Sequence, residues 1–220
     1  MSNAENALTT PYPKGAIKLM EAAERLFGEQ SIEGVSLRQV VTEAGQANSS
    51  AVQHHFGSKE GLLQAVYDMR LPKLDEDRMT RLNRAKDQEN HVPIASLLRA
   101  MFLPIIEEMS ESAQKSFALF NAQLMRMDIQ HHPFSHTTVP QPAYADIQQR
   151  LINLCHYLPT TVLQIRLRLA TEMFLGAINE KRRVDHSKDN PYKNDRAYWD
   201  EVFMAMEAVF KIPFTDHPSN

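Results

Sequence analysis

Residues 34–63 read GVSLRQVVTEAGQANSSAVQHHFGSKEGLL, and the order of caps, apolar pairs and glycines in this stretch decides the fold. Ser36 caps a helix, LRQVVTEA, that Gly45 stops. Asn48 is expected to cap the next helix, SSAVQHHF, ending near Gly57, and Ser58 opens another at Lys59-Glu60-Gly61-Leu62-Leu63. Upstream, Ala16, Met20, Ala23 and Phe27 recur at offsets of 0, 4, 7 and 11, which is one face of a first helix expected to end at Gly28. A helix entered at Ser36, reversed at Ala44-Gly45 and restarted near Asn48 is a helix-turn-helix, a unit that stands its second helix in the DNA major groove. Val40, Val41 and Ala44 are expected to face inward with Val52 and Phe56. That leaves Ser49, Ser50, Gln53 and His54 outward, with hydroxyl, amide and imidazole groups able to hydrogen-bond base edges or phosphates.

The rest of the composition bounds what surrounds this unit. The chain has 220 residues, 43% hydrophobic and 23% charged, an ordinary globular balance that excludes a wholly disordered, collagen-like or disulfide-stapled protein. The single Cys155 cannot form an internal disulfide or a thiolate zinc cluster. No stretch is apolar enough to span a bilayer and the N-terminus lacks a signal-peptide pattern, so a cytoplasmic location is expected. The formal net charge is −3, and the first 60 residues hold five Lys/Arg against seven Asp/Glu. Bulk charge therefore does not advertise nucleic acid; backbone N–H groups at helix N-termini are expected to supply part of the attraction to phosphate. Six of the seven glycines lie in the first 61 residues. That shift places a domain boundary near residue 60, with a helix-turn-helix domain over 1–60 and a larger helical domain over 61–220.

The segment 34–63, with the preceding helix KLMEAAERLFGE, resembles the N-terminal DNA-binding domain of the tetracycline-repressor (TetR/AcrR) family of bacterial transcriptional regulators. The likeness covers roughly residues 14 to 66 and rests on the Ala-Gly turn followed by HF-G-SKE-x-LL. It implies an all-α fold and a function as a DNA-binding regulator, a repressor released from a double-stranded operator by a small effector. It also implies roles by position. Ser36 and Arg38 would meet phosphate at the start of the second helix. Ser49, Ser50, Gln53 and His54 would be the exposed positions of the recognition helix, next to its cap Asn48. His55 would lie near the backbone, Phe56 would anchor the core, and Lys59 would contact phosphate from the fourth helix. The stretch between Gly45 and Phe56 is one residue longer than the commonest form of the family, the extra residue falling at Gln46.

Beyond residue 66 the resemblance is one of architecture: a helical ligand-binding domain whose last two helices form a dimer interface. The sequence there reads almost wholly helical, with Pro72 and Pro104 inside apolar helical patterns where each is expected to kink the axis. His131 to Pro142 has three prolines and no periodicity, and is expected to be a loop. From Thr161 to Arg183, Val162, Ile165, Leu169 and Met173 form one stripe and Leu163, Leu167, Ala170, Phe174 and Ala177 another, so this helix is expected to be covered on two sides. The helix from Asp195 to Lys211 has a broad apolar face. Ile165, Leu169, Met173, Trp199, Phe203, Met206 and Phe210 are the residues expected at a homodimer interface. Met101, Phe102, Phe117, Phe120, Met125, Met127 and Phe174 are candidates for an apolar effector pocket, although each singly is more often core.

Other chemistries find little support. Adjacent His54 and His55 point ~100° apart on a helix and cannot easily share an ion. Asp128, His131, His132 and His136 could gather a metal but read first as a polar surface loop. Arg168 and Glu172, four apart, read as a helix ion pair. There is no GxSxG elbow, HExxH, phosphate loop or dinucleotide fingerprint, so no enzyme, cofactor or metal site is expected. The rival reading is a helical enzyme or metal-binding protein without DNA affinity.

Overall fold

The structure, a computed structural model, describes residues 12–46, 50–88 and 91–214. All regular structure among them is helical: α1 (Lys14–Gln30), α2 (Leu37–Glu43), α3 (Ala51–Phe56), α4 (Lys59–Asp68), α5 (Leu71–Gln88), α6 (Ile94–Glu107), α7 (Glu111–Leu124), a 3₁₀ turn (Pro133–Ser135), α8 (Pro142–Leu154), α9 (Thr160–Asp185) and α10 (Asp195–Lys211). The chain forms two compact units, one from residues 1–77 with 109–141 and the other from 78–108 with 142–220. The first unit is thus not contiguous in sequence: it takes α7 and the 3₁₀ turn, which lie far beyond a cut at residue 60.

In the first unit α1 is the central helix, touched by α2, α3, α4 and α7. Ala16, Met20, Ala23 and Phe27 are fully buried, and Leu19, Ala22 and Leu26 join them. Four neighbours need more than one apolar face, which is why the run KLMEAAERLF alternates so little. Gly28 does not end this helix. It lies inside α1, where a Cβ would meet Leu119 Cβ at 2.7 Å and the Phe120 nitrogen at 2.8 Å. The glycine lets α7 approach the α1 backbone, and Phe27 stacks on Phe120 with ring centroids 6.4 Å apart. α1 ends two residues later, at Gln30, and Ser31, with φ of 87°, turns the chain out of the helix.

α4 is tied to α1 by a buried ion pair. Arg70, just past α4, donates to both Glu24 carboxylate oxygens at 2.8 and 2.7 Å. Excluded from water, such a pair is costly to break from one side, by about 3–5 kcal/mol. Pro72 kinks nothing. α5 begins at Leu71, so the proline occupies the first turn, where its missing N–H has no intrahelical partner to lose.

In the second unit α10 packs on α9 and α6, and α6 packs on α8. Phe174 is the hub: its ring lies 4.8 Å from Phe102, 5.7 Å from Trp199 and 6.2 Å from Phe203. Tyr198 donates to the Ala177 carbonyl at 2.7 Å. Buried Arg166 donates to the Phe210 and Ile212 carbonyls at 3.0 and 2.6 Å, and so satisfies the C-terminal end of α10. Pro104 does lie inside α6. Cys155 is buried, and burial pushes its thiol above the ordinary value.

The two expected stripes of α9 part company. Leu163, Ala170 and Phe174 are buried, whereas Ile165, Leu169 and Met173 are 53%, 46% and 37% exposed. α10 corrects the expectation at its apolar face: Phe203, Met206 and Phe210 are buried inside their own unit, so they are not free for a partner chain. Phe203 packs against Phe174 of α9 and Arg99 of α6, and the large apolar residue exposed on α10 is Met204.

Candidate nucleic-acid interface

The helix-turn-helix is built from α2 and α3. Ser36 caps α2 in a reciprocal box: its hydroxyl accepts from the Gln39 N–H at 3.3 Å, and Gln39 Oε1 accepts from the Ser36 N–H at 2.8 Å. Val40 and Val41 enter the core with Val52, while Ala44 and Phe56 pack at its edge, half-buried. α2 ends in a Schellman pattern, with Gly45 N–H donating to Thr42 and Gln46 N–H to Val41, both at 3.0 Å. This requires the left-handed backbone that Gly45 adopts, with φ of 66°. Gln46, the extra residue of the turn, is structural as well: its side-chain amide donates to the Gly15 carbonyl at 2.7 Å and so fastens the turn to the start of α1.

α3 starts at Ala51 with Ser50 in the capping position, and Ser50 makes no side-chain cap bond. The expected cap Asn48 and the candidate contact Ser49 lie outside the described residues; α3 begins later than a cap at 48 would have it. Ser50, Gln53 and His54 are exposed, as is Arg38 on α2, and His55 is half-buried. The His54 and His55 rings meet edge to face at 4.9 Å, and His55 leads on to Phe56 at 5.9 Å. Phe56 in turn contacts Tyr12 at 5.7 Å. His55, Phe56 and Tyr12 fix the back of α3 and leave Gln53 and His54 exposed.

α4 follows with Ser58 as its cap, accepting from the Gly61 N–H at 3.0 Å. Two observations bear on what the start of α4 can offer a phosphate. Lys59 is half-buried, donates to the Glu33 carbonyl at 3.1 Å and lies 5.9 Å from the Phe27 ring, so it braces the domain. Glu60 is exposed, and its own backbone N–H and the Ser58 hydroxyl hold its carboxyl below the ordinary value, ionised at the helix start. Arg38 has no such internal duty: its side chain has no hydrogen-bond or ion-pair partner among the described residues. Sequence reasoning missed the bracing role of Lys59, because Glu33 and Phe27 approach it only in the folded domain.

The remaining candidates fall elsewhere. Phe117, Phe120, Met125 and Met127 belong to the first unit and Met101, Phe102 and Phe174 to the second, so neither unit gathers the seven. Phe120 is core, with Met127 packed against that core, and Met101, Phe102 and Phe174 are buried. His132 Nδ1 accepts from the Phe134 N–H at 3.0 Å and the His136 ring pairs with the Gln130 carbonyl at 2.7 Å, so both serve the loop. Among the described residues no cluster of three His, Cys, Asp or Glu could hold a metal, and no helix is long and apolar enough to cross a membrane. Arg168 and Glu172 do pair, at 3.2 Å.

A capped helix, a glycine turn and a short exposed helix on an apolar base define a protein of the helix-turn-helix class. Residues 19–66 match the family described as bacterial regulatory proteins, tetR family. The HTH-type transcriptional regulator BetI of Rhizobium meliloti (strain 1021) is 33% identical over 84 residues, which is 38% of this chain and 40% of that one. The match thus spans well under half of that relative's length. A structure described as a tetR family transcription regulator from Shewanella sp. PV-4 superposes with a TM-score of 0.58 at 19% identity, covering 90% of this chain and 96% of that one. A protein named superantigen pfit superposes at 0.51 with 16% identity, over 92% and 90% of the two chains. These two show the fold. Over residues 19–66 the chain thus resembles the tetR family of bacterial regulatory proteins.

Proposed function

We propose that the chain represses transcription by binding an operator in double-stranded DNA as a homodimer, and that a small effector releases it. In this reading residues 1–60 are the DNA-binding domain and 61–220 the effector and dimerisation domain, at work in the bacterial cytoplasm. The observation that carries it is α3, with Gln53 and His54 exposed on a helix whose back is fixed by Val52 and Phe56. One short helix reads only a few base pairs, so two copies are needed, on half-sites about 34 Å apart. The exposed stripe Ile165, Leu169 and Met173 on α9 supports the second copy. An effector that favours a dimer with mismatched helices weakens DNA binding, and operator weakens effector binding by the same factor.

Selection of bound duplexes from a randomised library tests the DNA reading. The wild type should enrich a near-palindromic site. Gln53→Ala should relax base choice within it, whereas Arg38→Ala should weaken all sequences alike and lower the salt slope by about one. Identical base profiles for wild type and Gln53→Ala would overturn the assignment of α3 as the reading helix.

A further inference from the structure

An open groove of about 190 Å³ runs between α5 and α6 in the second unit. Both walls have the same helical spacing: Arg81, Arg84, Ala85 and Gln88 on α5 line it with Ser96, Arg99, Ala100 and Leu103 on α6, each at i, i+3, i+4 and i+7. Ala85 and Ala100 are too small to fill the space between the helices, which leaves the groove open. Among the described residues three guanidiniums line it and no carboxylate does.

The acids that answer these arginines stand outside the lining. Arg81 pairs through Nη2 with Glu107 and, at 3.8 Å, with Glu108, and Arg99 through Nη2 with Asp200 at 2.9 Å. Each guanidinium carries five N–H donors in a planar fork, so one engaged nitrogen leaves most of the fork for another acceptor. The Arg99 guanidinium also lies 4.8 Å from the Phe203 ring centroid, which holds its plane in place. Arg84 is exposed and has no carboxylate partner among the described residues. Carboxylates thus offset Arg81 and Arg99, and the charge left without an answering acid among the described residues is that of Arg84. The space amounts to roughly six water volumes of ~30 Å³.

We propose that the α5–α6 groove binds a small polyanion, carrying two or more carboxylate or phosphate groups, between Arg81, Arg84 and Arg99. Ala85, Ala100 and Leu103 supply the apolar part of the lining, and the three arginines supply the charge and hydrogen bonds that hold this ligand. Occupancy of the groove stands on the arginines alone; its role as the releasing effector rests on the operator reading above.

Titration calorimetry on the full-length chain tests the site, with citrate and pyrophosphate as separate probes at an ionic strength matched with sodium chloride. At least one probe should bind saturably, once per chain; citrate alone would assign carboxylates and pyrophosphate alone phosphates. Arg84→Gln loses no partner among the described residues, so it should keep the wild-type melting temperature while weakening binding about tenfold or more. Arg38→Gln, on α2, should bind the probe as the wild type does. Absence of saturable heat for both probes, or equal affinity in Arg84→Gln, would overturn the site. A probe that binds the groove but leaves operator affinity unchanged would overturn its effector role alone. Failure of the unliganded protein to bind any duplex would overturn the operator reading and leave the groove standing.

Discussion

A Cβ placed on Gly61 would lie 2.0 Å from the Phe56 carbonyl oxygen, closer than any carbon can come. The corner between α3 and α4 therefore closes only over a residue with no side chain. Gly61→Ala should force the corner open and destabilise the first unit by about 1–3 kcal/mol, as overpacking does, which chemical denaturation would register as a lower midpoint. An unchanged midpoint would mean that the corner yields freely. The sequence placed Gly61 correctly in the opening of α4 but offered no reason for it, because the oxygen it accommodates belongs to another helix. Gly28 shows the same limit more sharply. By local rules a glycine after an apolar run ends a helix, yet here it marks a close approach by α7, about ninety residues further on.

Among the helices, those whose ends depend on adjacent residues were the legible ones. Ser36 and Gln39 lie three apart and cap each other, and Ser58 reaches Gly61 over the same distance. Ser36→Ala should therefore cost about 1 kcal/mol, the ordinary worth of an N-cap, measured as a fall in thermal stability. No fall would mean that the Gln39 side chain alone holds the turn. α3 was less legible than α2 or α4. Three polar residues, Asn48, Ser49 and Ser50, all have capping chemistry, and the structure starts the helix after the last of them. On α10 the periodicity located one apolar face correctly but could not say what covers it. Phe203 and Phe210 have the spacing of an interface and the burial of a core, and only tertiary packing distinguishes the two.

For the molecule as a whole, that distinction decides how a dimer is tested. Leu169 is half exposed on α9 while Phe203 is buried against α6 and α9. Leu169→Glu should keep its helical circular-dichroism signal yet sediment as a monomer. Phe203→Glu should lose the folded state, because it buries an unpaired charge at a cost of several kcal/mol. A Leu169→Glu variant that stays dimeric would place the interface away from α9. The all-helical class and the helix-turn-helix were legible because they rest on local spacing. The division into compact units was not, since nothing local in residues 109–141 says that they pack on α1 and α4.

That borrowed segment has a consequence for how the protein is made. Phe120 and Leu124 complete the core around Phe27, but the ribosome delivers them long after α4. At about 5–20 residues per second, roughly 3–12 s separate the emergence of Leu63 from that of Leu124. During that interval the nascent reading head has one wall missing, and the apolar side of α1 is left to water or to a chaperone.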